Sequence, residues 1–470
     1  MIKDYYISDT LKFYSNYVHQ RLKFLKKRKF LFNEISFFLS NLVNKSKKLA
    51  FFGCGNLLIT KKILSDKIYV NEVNDFIFDE FKNQNYEKFE NLSEFENHIS
   101  EFDHIVFADI EHQKNISTNL LNIGKIINDD CRVIVISKSL IWHTFINWYK
   151  RLSKKSGPLR NNYLPFSNLK QIFINSNLDV LRNEKIIIMP FHIPYISKII
   201  NLIFRLPILN FFCLLNITVL KKKIVKNSNE QKISVIIPCK NEEDNIKLFK
   251  EEIPKLNLKV EFLFGDDKSE DDTLNKLNRL KEELSDHDIK IYNGPGICKS
   301  DNVYTGIEYS TGDIIAIYDA DLTVSFNDMK KSIDYLKQTN SDFINCSRMV
   351  IPQRTNAMKN SNYFGNIFFA FMFSILFKNK ITDTLCGTKI FYKKDWLNIK
   401  NYSNELGIKD LWGDFDLLIG AYKNNLKISE VPVFYLERKE EETKMTNVIK
   451  NALRMLMIVI NSYYRLRIKN

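Results

Sequence analysis

The stretch Ile314-Ile315-Ala316-Ile317-Tyr318-Asp319-Ala320-Asp321 reads as a buried strand that runs out on two carboxylates one residue apart. Gly312 and Asp313 punctuate its start, and the apolar run between them and the acids has the length and β-branched content of a strand. Side chains alternate along a strand, so Asp319 and Asp321 are expected to point the same way at its end. Carboxylates that close repel unless a divalent cation or a proton lies between them. Mg²⁺ and Mn²⁺ prefer oxygen ligands and are shared between carboxylates and substrate phosphates. The stretch therefore points to a metal–diphosphate site at the carboxyl end of an α/β sheet, or to an acidic turn after an edge strand. Its neighbours decide between the two.

The chain has 470 residues, beyond the size at which one hydrophobic core keeps growing, so two or more domains are expected. Apolar residues make up 45% and aromatic residues 13%, ample for real cores. Lys+Arg 69 against Asp+Glu 55 leaves a net charge of +14, which suits an acidic partner such as a phosphorylated substrate or an anionic membrane surface. No signature of nucleic-acid binding accompanies the charge, so no nucleic-acid partner is expected. The 7 cysteines are scattered without a Cys-x-x-Cys pair, as free thiols in a reducing cytosol would be. Met1-Ile2-Lys3-Asp4-Tyr5-Tyr6 lacks the apolar core of a signal peptide, and a cytoplasmic protein is expected, placed at the inner face of the cytoplasmic membrane if it acts on lipid.

The apolar run 199–220 is interrupted by Arg205 and Pro207, and 363–377 is too short to span a bilayer. The latter suits a buried helix or one in contact with a membrane surface. The tail from Val448 to Asn470 mixes Leu, Met, Ile and Tyr with Lys450, Arg454, Arg465, Arg467 and Lys469, as either a basic interfacial helix or a packing helix would.

Lys221–Lys232 is polar and charged and lies between an apolar run and a new strand, marking a boundary. The expected organisation is a first domain over 1–222, a linker over 223–232, a second domain over 233–446 and a basic amphipathic helix over 447–470. In the first domain, strand-like runs Leu49–Phe52, Ile68–Val70, His104–Phe107, Arg132–Ile136 and Ile186–Met189 alternate with helix-like spacers. The second repeats the rhythm with Ile233–Ile237, Val260–Phe264, Ile289–Tyr292 and Ile314–Tyr318. This predicts an α/β chain of two doubly wound, Rossmann-like domains with parallel sheets.

In the first half, Phe51-Phe52-Gly53-Cys54-Gly55-Asn56-Leu57-Leu58 joins a strand to a helix-like segment, and Glu72 ends the next strand. Gly53 and Gly55 let backbone N–H groups approach a cofactor, and Glu72 stands where a ribose-binding acid is expected. With His104–Asp109, Ile141-Trp142, Asn161–Leu164 and Pro190–Pro194, this order resembles a class I S-adenosylmethionine-dependent methyltransferase over roughly residues 20–220. The resemblance implies S-adenosylmethionine as cofactor, bound at Gly53, Gly55 and Glu72. Phe51 stands where that family usually has an acidic residue, and a scaffold or acceptor-recognition role for the same fold remains the alternative.

In the second half, Ile233–Ile237 runs into Pro238-Cys239-Lys240-Asn241-Glu242, and Val260–Phe264 into Gly265-Asp266-Asp267. Lys299–Gly306 is expected to form a loop. Strands that all finish in polar loops on one edge make a crevice for a ligand. With Ser347-Arg348, Thr382–Lys389, Gly413-Asp414-Phe415-Asp416, Glu430–Val433 and Arg438–Lys444, residues 233–446 resemble a family 2 glycosyltransferase of GT-A fold, close to the polyprenyl-phosphate sugar synthases.

That resemblance implies transfer from a nucleotide-sugar, a UDP- or GDP-sugar, to a polyprenyl phosphate or glycan acceptor in cell-envelope glycan synthesis. It places Pro238, Asn241, Glu242, Asp266, Asp267, Lys299, Arg438 and Lys444 around the donor. Asp319 and Asp321 would hold Mg²⁺ or Mn²⁺. Arg348, Asp383, Gly387 and Lys389 would lie on the acceptor side, with Asp414 or Asp416 as general base. Other readings of the chain are a bifunctional enzyme with a working methyltransferase half and a sugar-nucleotide-binding membrane scaffold without turnover.

Overall fold

The computed structural model describes the chain apart from residues 1–15, 17, 44–45, 54, 73, 90–91, 109, 153–163, 207–208, 224–230, 257, 352–357, 359, 437–447 and 468–470. The chain divides into two compact units, Met1–Ile224 and Val225–Lys469. Each is built on a seven-stranded sheet with helices packed against it.

The first sheet contains β1 (Ser46–Phe52), β2 (Ser65–Asn71), β3 (Tyr86–Lys88), β4 (His104–Phe107), β5 (Arg132–Lys138), β6 (Leu178–Ile186) and β7 (Leu215–Lys222), in the order β3-β2-β1-β4-β5-β7-β6. The central strands are parallel and bury their side chains on both faces, which is why they read as continuous apolar runs. One strand departs from the parallel expectation. β7 runs antiparallel to both β5 and β6.

β7 lies in the apolar run 199–220, whose described residues include the helix Ile196–Ile203, a 3₁₀ turn Leu209–Phe212 and this buried strand. Lys221, the first residue of the polar boundary stretch, is therefore buried in β7. The strand expected at Ile186–Met189 also shifts, because β6 ends at Ile186. Ile187 takes φ 61°, and the amides of Ile188 and Met189 donate to Asn201 Oδ1 (3.0 and 2.8 Å), which draws them off the ladder.

The second sheet contains β8 (Ile233–Cys239), β9 (Val260–Asp266), β10 (Asp288–Asn293), β11 (Ile314–Ile317), β12 (Phe343–Ser347), β13 (Lys389–Tyr392) and β14 (Ile428–Pro432), in the order β10-β9-β8-β11-β13-β12-β14. Here β13 is the strand that runs antiparallel to its neighbours. Along β11 the side chains divide as a pleat requires. Ile314 and Ala316 join the core beneath helices Glu243–Glu252 and Phe326–Gln338, while Ile315 and Ile317 join the core on the opposite face.

That second face carries helices Lys299–Tyr309, Asn360–Phe377, Trp396–Leu406, Asp414–Lys423 and Val448–Arg467. Lys299–Gly306 is thus helical and not the expected loop. The tail helix packs one face into this core through Met455, Ile458, Val459 and Leu466. Among the described residues no helix is long and apolar enough to cross a membrane.

Candidate active site

The strand order of the second sheet reverses between β8 and β11, and a doubly wound sheet opens a crevice at the carboxyl ends of such a pair. β11 stops at Ile317, one residue early. Asp319 and Asp321 therefore sit in a turn and not on a strand: Leu322, at φ 51°, donates its amide to Asp319 O (3.3 Å). Asp321 Oδ1 accepts from the amide (3.2 Å) and hydroxyl (2.9 Å) of Thr323, so its carboxylate is held by its own turn. The strand-alternation argument for their common direction does not apply, because the pleat has already ended.

Helix Lys299–Tyr309 delivers Lys299 Nζ to Asp319 Oδ1 at 2.5 Å. Burial pushes Asp319 up, but the Lys299 ammonium, with Arg348 and Lys389 behind it, outweighs burial and holds the carboxyl below its ordinary value. Burial likewise works against the ammonium of Lys299, while Asp319, Asp414 and Asp321 keep it above the usual lysine value. Gly387 closes the other side. A Cβ there would lie 2.2 Å from Asp319 Oδ2, so only a glycine backbone can pass.

The loop that brings Gly387 in is fixed by an internal ion pair. Asp383 is fully buried and accepts from Arg348 Nε (2.8 Å) and Nη2 (3.0 Å), the Arg348 and Leu385 amides (both 3.0 Å) and Asn366 Nδ2 (2.7 Å). Burial raises Asp383, yet the Arg348 guanidinium dominates and holds the carboxyl at about 2. Glu430 on β14 accepts from the amide and hydroxyl of Thr382 and from Asn345 Nδ2, anchoring the start of the same loop.

Lys389, at the start of β13, is fully buried with Nζ 2.6 Å from Cys386 O, 3.2 Å from Asn345 Oδ1 and 3.2 Å from Asp414 Oδ1. Three acceptors satisfy an ammonium, which is what makes such a burial tolerable. Arg348, Asp383, Gly387 and Lys389 are thus brought together next to Asp319.

The two carboxylates of Asp414 and Asp416 separate. Asp414 faces Lys389, whereas Asp416 turns toward Ser403 and Tyr304, whose hydroxyls donate to its Oδ2. Asp410, which the sequence reading passed over, caps their helix by accepting from the amides of Phe415 (2.8 Å) and Asp416 (3.3 Å).

Burial, reinforced by the charge of Asp410, pushes Asp416 up to about 8. An unfolded aspartate titrates near ~4, so the folded chain holds the extra proton between roughly pH 4 and pH 8. Stability contributed by this group is complete below that window and declines as pH rises through it, by at most about 1.4 kcal/mol per pH unit. Asp416→Asn mimics the protonated carboxyl and is expected to flatten the decline, read as denaturant midpoints at about pH 5 and about pH 8. An equally steep decline in the variant would exclude Asp416 as its source.

Across the crevice, the loops after β8 and β9 brace each other. The Asn241 amide donates to Ser269 Oγ (3.0 Å), the Glu270 amide to Asn241 Oδ1 (2.8 Å) and the Glu242 amide to Thr273 Oγ1 (2.8 Å). Pro238 pairs with Gly265 in the ladder. Asp267 is turned inward, accepting from the Gly296 amide (2.7 Å). Asp266 instead keeps a buried Oδ1 without a hydrogen-bond partner, an acceptor left over for a donor group of a ligand. Arg438 and Lys444 lie outside the described residues.

Asp319 Oδ1 is taken by the Lys299 ammonium, so a divalent cation at this turn would share Asp319 with Lys299 or displace it, with the Asp321 carboxylate two residues on as a second oxygen ligand. Among the described residues no group of three or more His, Cys, Asp or Glu gathers as a metal cage. Two carboxylates plus substrate phosphate is the coordination such an arrangement suits.

The family comparison falls on this unit. Residues 234–398 match the model of glycosyl transferase family 2. These residues form a family 2 glycosyltransferase domain. The chain is 27% identical over 245 residues to a UDP-N-acetylglucosamine–dolichyl-phosphate N-acetylglucosaminyltransferase of Methanococcus voltae, covering 48% of this chain and 95% of that protein. It is 26% identical over 186 residues to a dolichyl-phosphate beta-glucosyltransferase of Trichomonas vaginalis, covering 38% of this chain and about half, 53%, of that relative. Among solved structures, glucosyl-3-phosphoglycerate synthase from Mycobacterium tuberculosis, bound to Mn²⁺ and UDP, aligns with a TM-score of 0.38 and 14% identity, over 51% of this chain and 81% of that one. The family 2 domain thus contains the Asp319/Asp321 turn, the Arg348–Asp383 pair and Gly387, while Asp414 and Asp416 lie beyond the matched residues.

In the first unit, the Gly55 amide donates to Glu72 Oε2 (2.8 Å) and the Asn74 amide to Oε1 (3.2 Å). Glu72 is 2% exposed, and burial pushes it up to about 7. Arg21 covers the turn from outside, donating to Gly55 O (3.0 Å) and Asn56 Oδ1 (2.5 Å), and the Phe51 ring packs 2.5 Å from where a Gly53 Cβ would lie. Gly53, Gly55 and Glu72 are brought together, but the groups a ribose would meet are closed on one another, so the described residues do not fit S-adenosylmethionine as they stand. Cys54 and Asp109 lie outside the described residues.

Proposed function

We propose that the second unit transfers a sugar, with inversion, from a UDP- or GDP-sugar to a lipid phosphate, in the manner of the polyprenyl-phosphate sugar synthases it resembles. The observation that carries this reading is the Asp319/Asp321 turn at the β8/β11 switch point, ringed by Lys299, Arg348 and Lys389. The dolichyl-phosphate relatives support a lipid-phosphate acceptor. The working boundaries are 233–446 for the transferase, 1–222 for a methyltransferase-like unit, 223–232 for the linker and 447–470 for the terminal helix. The proposed location is the cytoplasmic face of the membrane that holds the lipid.

In this reading Asp319 and Asp321 hold Mg²⁺ or Mn²⁺, which would neutralise the departing diphosphate. Lys299 adds a fixed positive charge beside Asp319, aimed where negative charge develops as the sugar–phosphate bond breaks. Pro238, Asn241, Glu242 and the unpartnered oxygen of Asp266 border the nucleotide. Gly387 sets the distance between the acceptor loop and the donor carboxylate. A lipid phosphate is ionised at neutral pH and needs no base to attack the anomeric carbon, whereas a glycan hydroxyl would need one. Asp414 is the better placed of the two acids, because Asp416 faces away into the helices.

The test is turnover of a panel of UDP- and GDP-sugars by the purified chain with Mn²⁺, with and without a polyprenyl phosphate. Sugar appearing on the lipid only when both are present is the expected result. Failure to consume any donor would leave the scaffold reading standing. Gly387→Ala is expected to reduce transfer by about 10²-fold, because its Cβ must push the Asp319 carboxylate aside. An unchanged far-ultraviolet spectrum would show that the loss is local. Full activity in the variant would remove Gly387 from the site.

A second reading keeps the first unit as a methyltransferase on the same glycan pathway, and the Gly55–Glu72 pair at the ends of β1 and β2 favours that ancestry. Heat released on titration with S-adenosylmethionine would establish it. The closed Glu72 and the covering Arg21 favour a scaffold or acceptor-recognition role instead.

A further inference from the structure

Helix Val448–Arg467 is apolar on two opposite faces, and the described residues of its own unit cover one of them. Met455, Ile458, Val459 and Leu466 enter the core. Ile449, Leu453, Met457, Ile460 and Tyr464 are all exposed, Ile449 at 78%. At the helical repeat those five fall within an arc of roughly 80°.

The neighbouring helix Asn360–Phe377 does the same. Phe369, Phe373 and Leu376 are buried, while Tyr363, Phe364, Ile367, Phe368 and Phe371 are exposed, Phe364 at 68%. The two helices touch, and Arg467 Nη2 ties them by donating to Leu376 O (2.6 Å). Isolated exposed apolar residues need no explanation, but two stripes on adjoining helices do.

Charge indicates what covers them. Neither helix contains an acidic residue, whereas helix Val448–Arg467 carries Lys450, Arg454, Arg465 and the buried Arg467, and Lys378 and Lys380 follow helix Asn360–Phe377. Apolar stripes on helices that carry cations and no acids of their own suit the boundary of an anionic bilayer, where the rings and aliphatic chains sink among the acyl chains and the cations meet head groups. The site lies directly behind this face. Asn366, on the same helix as the exposed rings, binds Asp383 through Nδ2 (2.7 Å) and accepts the Thr384 amide on Oδ1 (3.1 Å), which is the acceptor loop itself.

We propose that the paired stripes of helices Asn360–Phe377 and Val448–Arg467 dock the protein on the surface of an anionic lipid bilayer, presenting the acceptor loop to a lipid phosphate. The purpose given to the docking rests on the transfer reading above; the docking itself is tested separately.

The full chain is sedimented with vesicles of phosphatidylglycerol and phosphatidylcholine in equal parts, and with vesicles of phosphatidylcholine alone. At least tenfold tighter binding to the anionic vesicles is expected. The variant Leu453→Ser/Met457→Ser/Ile460→Ser should lose at least tenfold in that binding, with its melting temperature and its turnover of a water-soluble short-chain prenyl phosphate unchanged. A second variant, Phe364→Ser/Phe371→Ser, should behave alike. Equal vesicle binding by wild type and both variants overturns the proposal. So does a wild-type dimer seen by light scattering that the variants dissolve without any vesicle binding, since the face then joins two copies of the chain. Stripe-dependent vesicle binding by a protein that turns over no donor sinks the transfer reading and leaves the docking standing.

Discussion

Asp319→Asn is expected to lower kcat/KM for sugar transfer by on the order of 10²–10³-fold and to abolish its dependence on Mn²⁺. The substitution keeps the shape of the side chain, so Gly387 and the turn through Leu322 can stay in place. It removes one of the two proposed oxygen ligands and leaves the ammonium of Lys299 facing a neutral amide. A cation held by Asp321 alone would have to compete with Lys299 for the diphosphate and would be poorly placed beneath the departing charge. Steady-state rates over a Mn²⁺ titration read the effect. A variant within tenfold of wild type, with the same metal dependence, would mean that Asp319 is only the partner of Lys299.

Asp383→Ala should be the most destabilising single change at the site, costing about 3–5 kcal/mol in a denaturant titration. Its carboxylate is fully buried and accepts two side-chain N–H groups of Arg348, two backbone amides and the amide of Asn366. Truncation leaves a guanidinium in a dry environment with its strongest partner gone, and desolvation of that charge supplies most of the cost. The loss should exceed that of Asp383→Asn, which keeps the shape and part of the bonding. If both variants unfold at the same denaturant concentration as wild type, the ion pair does not hold the loop.

Much of this arrangement was readable in the chain because the parallel strands are buried on both faces and betray themselves as apolar runs. Ile233–Ile237, Val260–Phe264 and Ile314–Ile317 fall inside observed strands, and the polar residues after them line one edge of the sheet. The reversed strands were harder. β7 hides in a run that also supplies a helix, and β13 is only four residues long, so neither shows a period of its own. Asp319 and Asp321 stand out by type and spacing, but strand alternation does not set their direction, since β11 ends at Ile317. Asn366 left a signal, as the lone amide in the run 363–377. Asp410 and Asn345 left none, because a helix cap and a buried amide draw their meaning from partners distant along the chain.

The reversed β13 has a consequence for how such a protein diversifies. Being antiparallel, it begins, instead of ending, at the edge where β8 and β11 finish, with Lys389 opposite Ile317. The segment that leads into it, from Arg348 through Gly387, is therefore an excursion closed at both ends by strand residues, Ser347 and Lys389. On the proposed reading, exchanging this excursion for a relative's, with Gly387 and the core residues Phe369, Phe373 and Leu376 of helix Asn360–Phe377 retained, is expected to redirect the acceptor while the register of β8, β9 and β11 stays as it is.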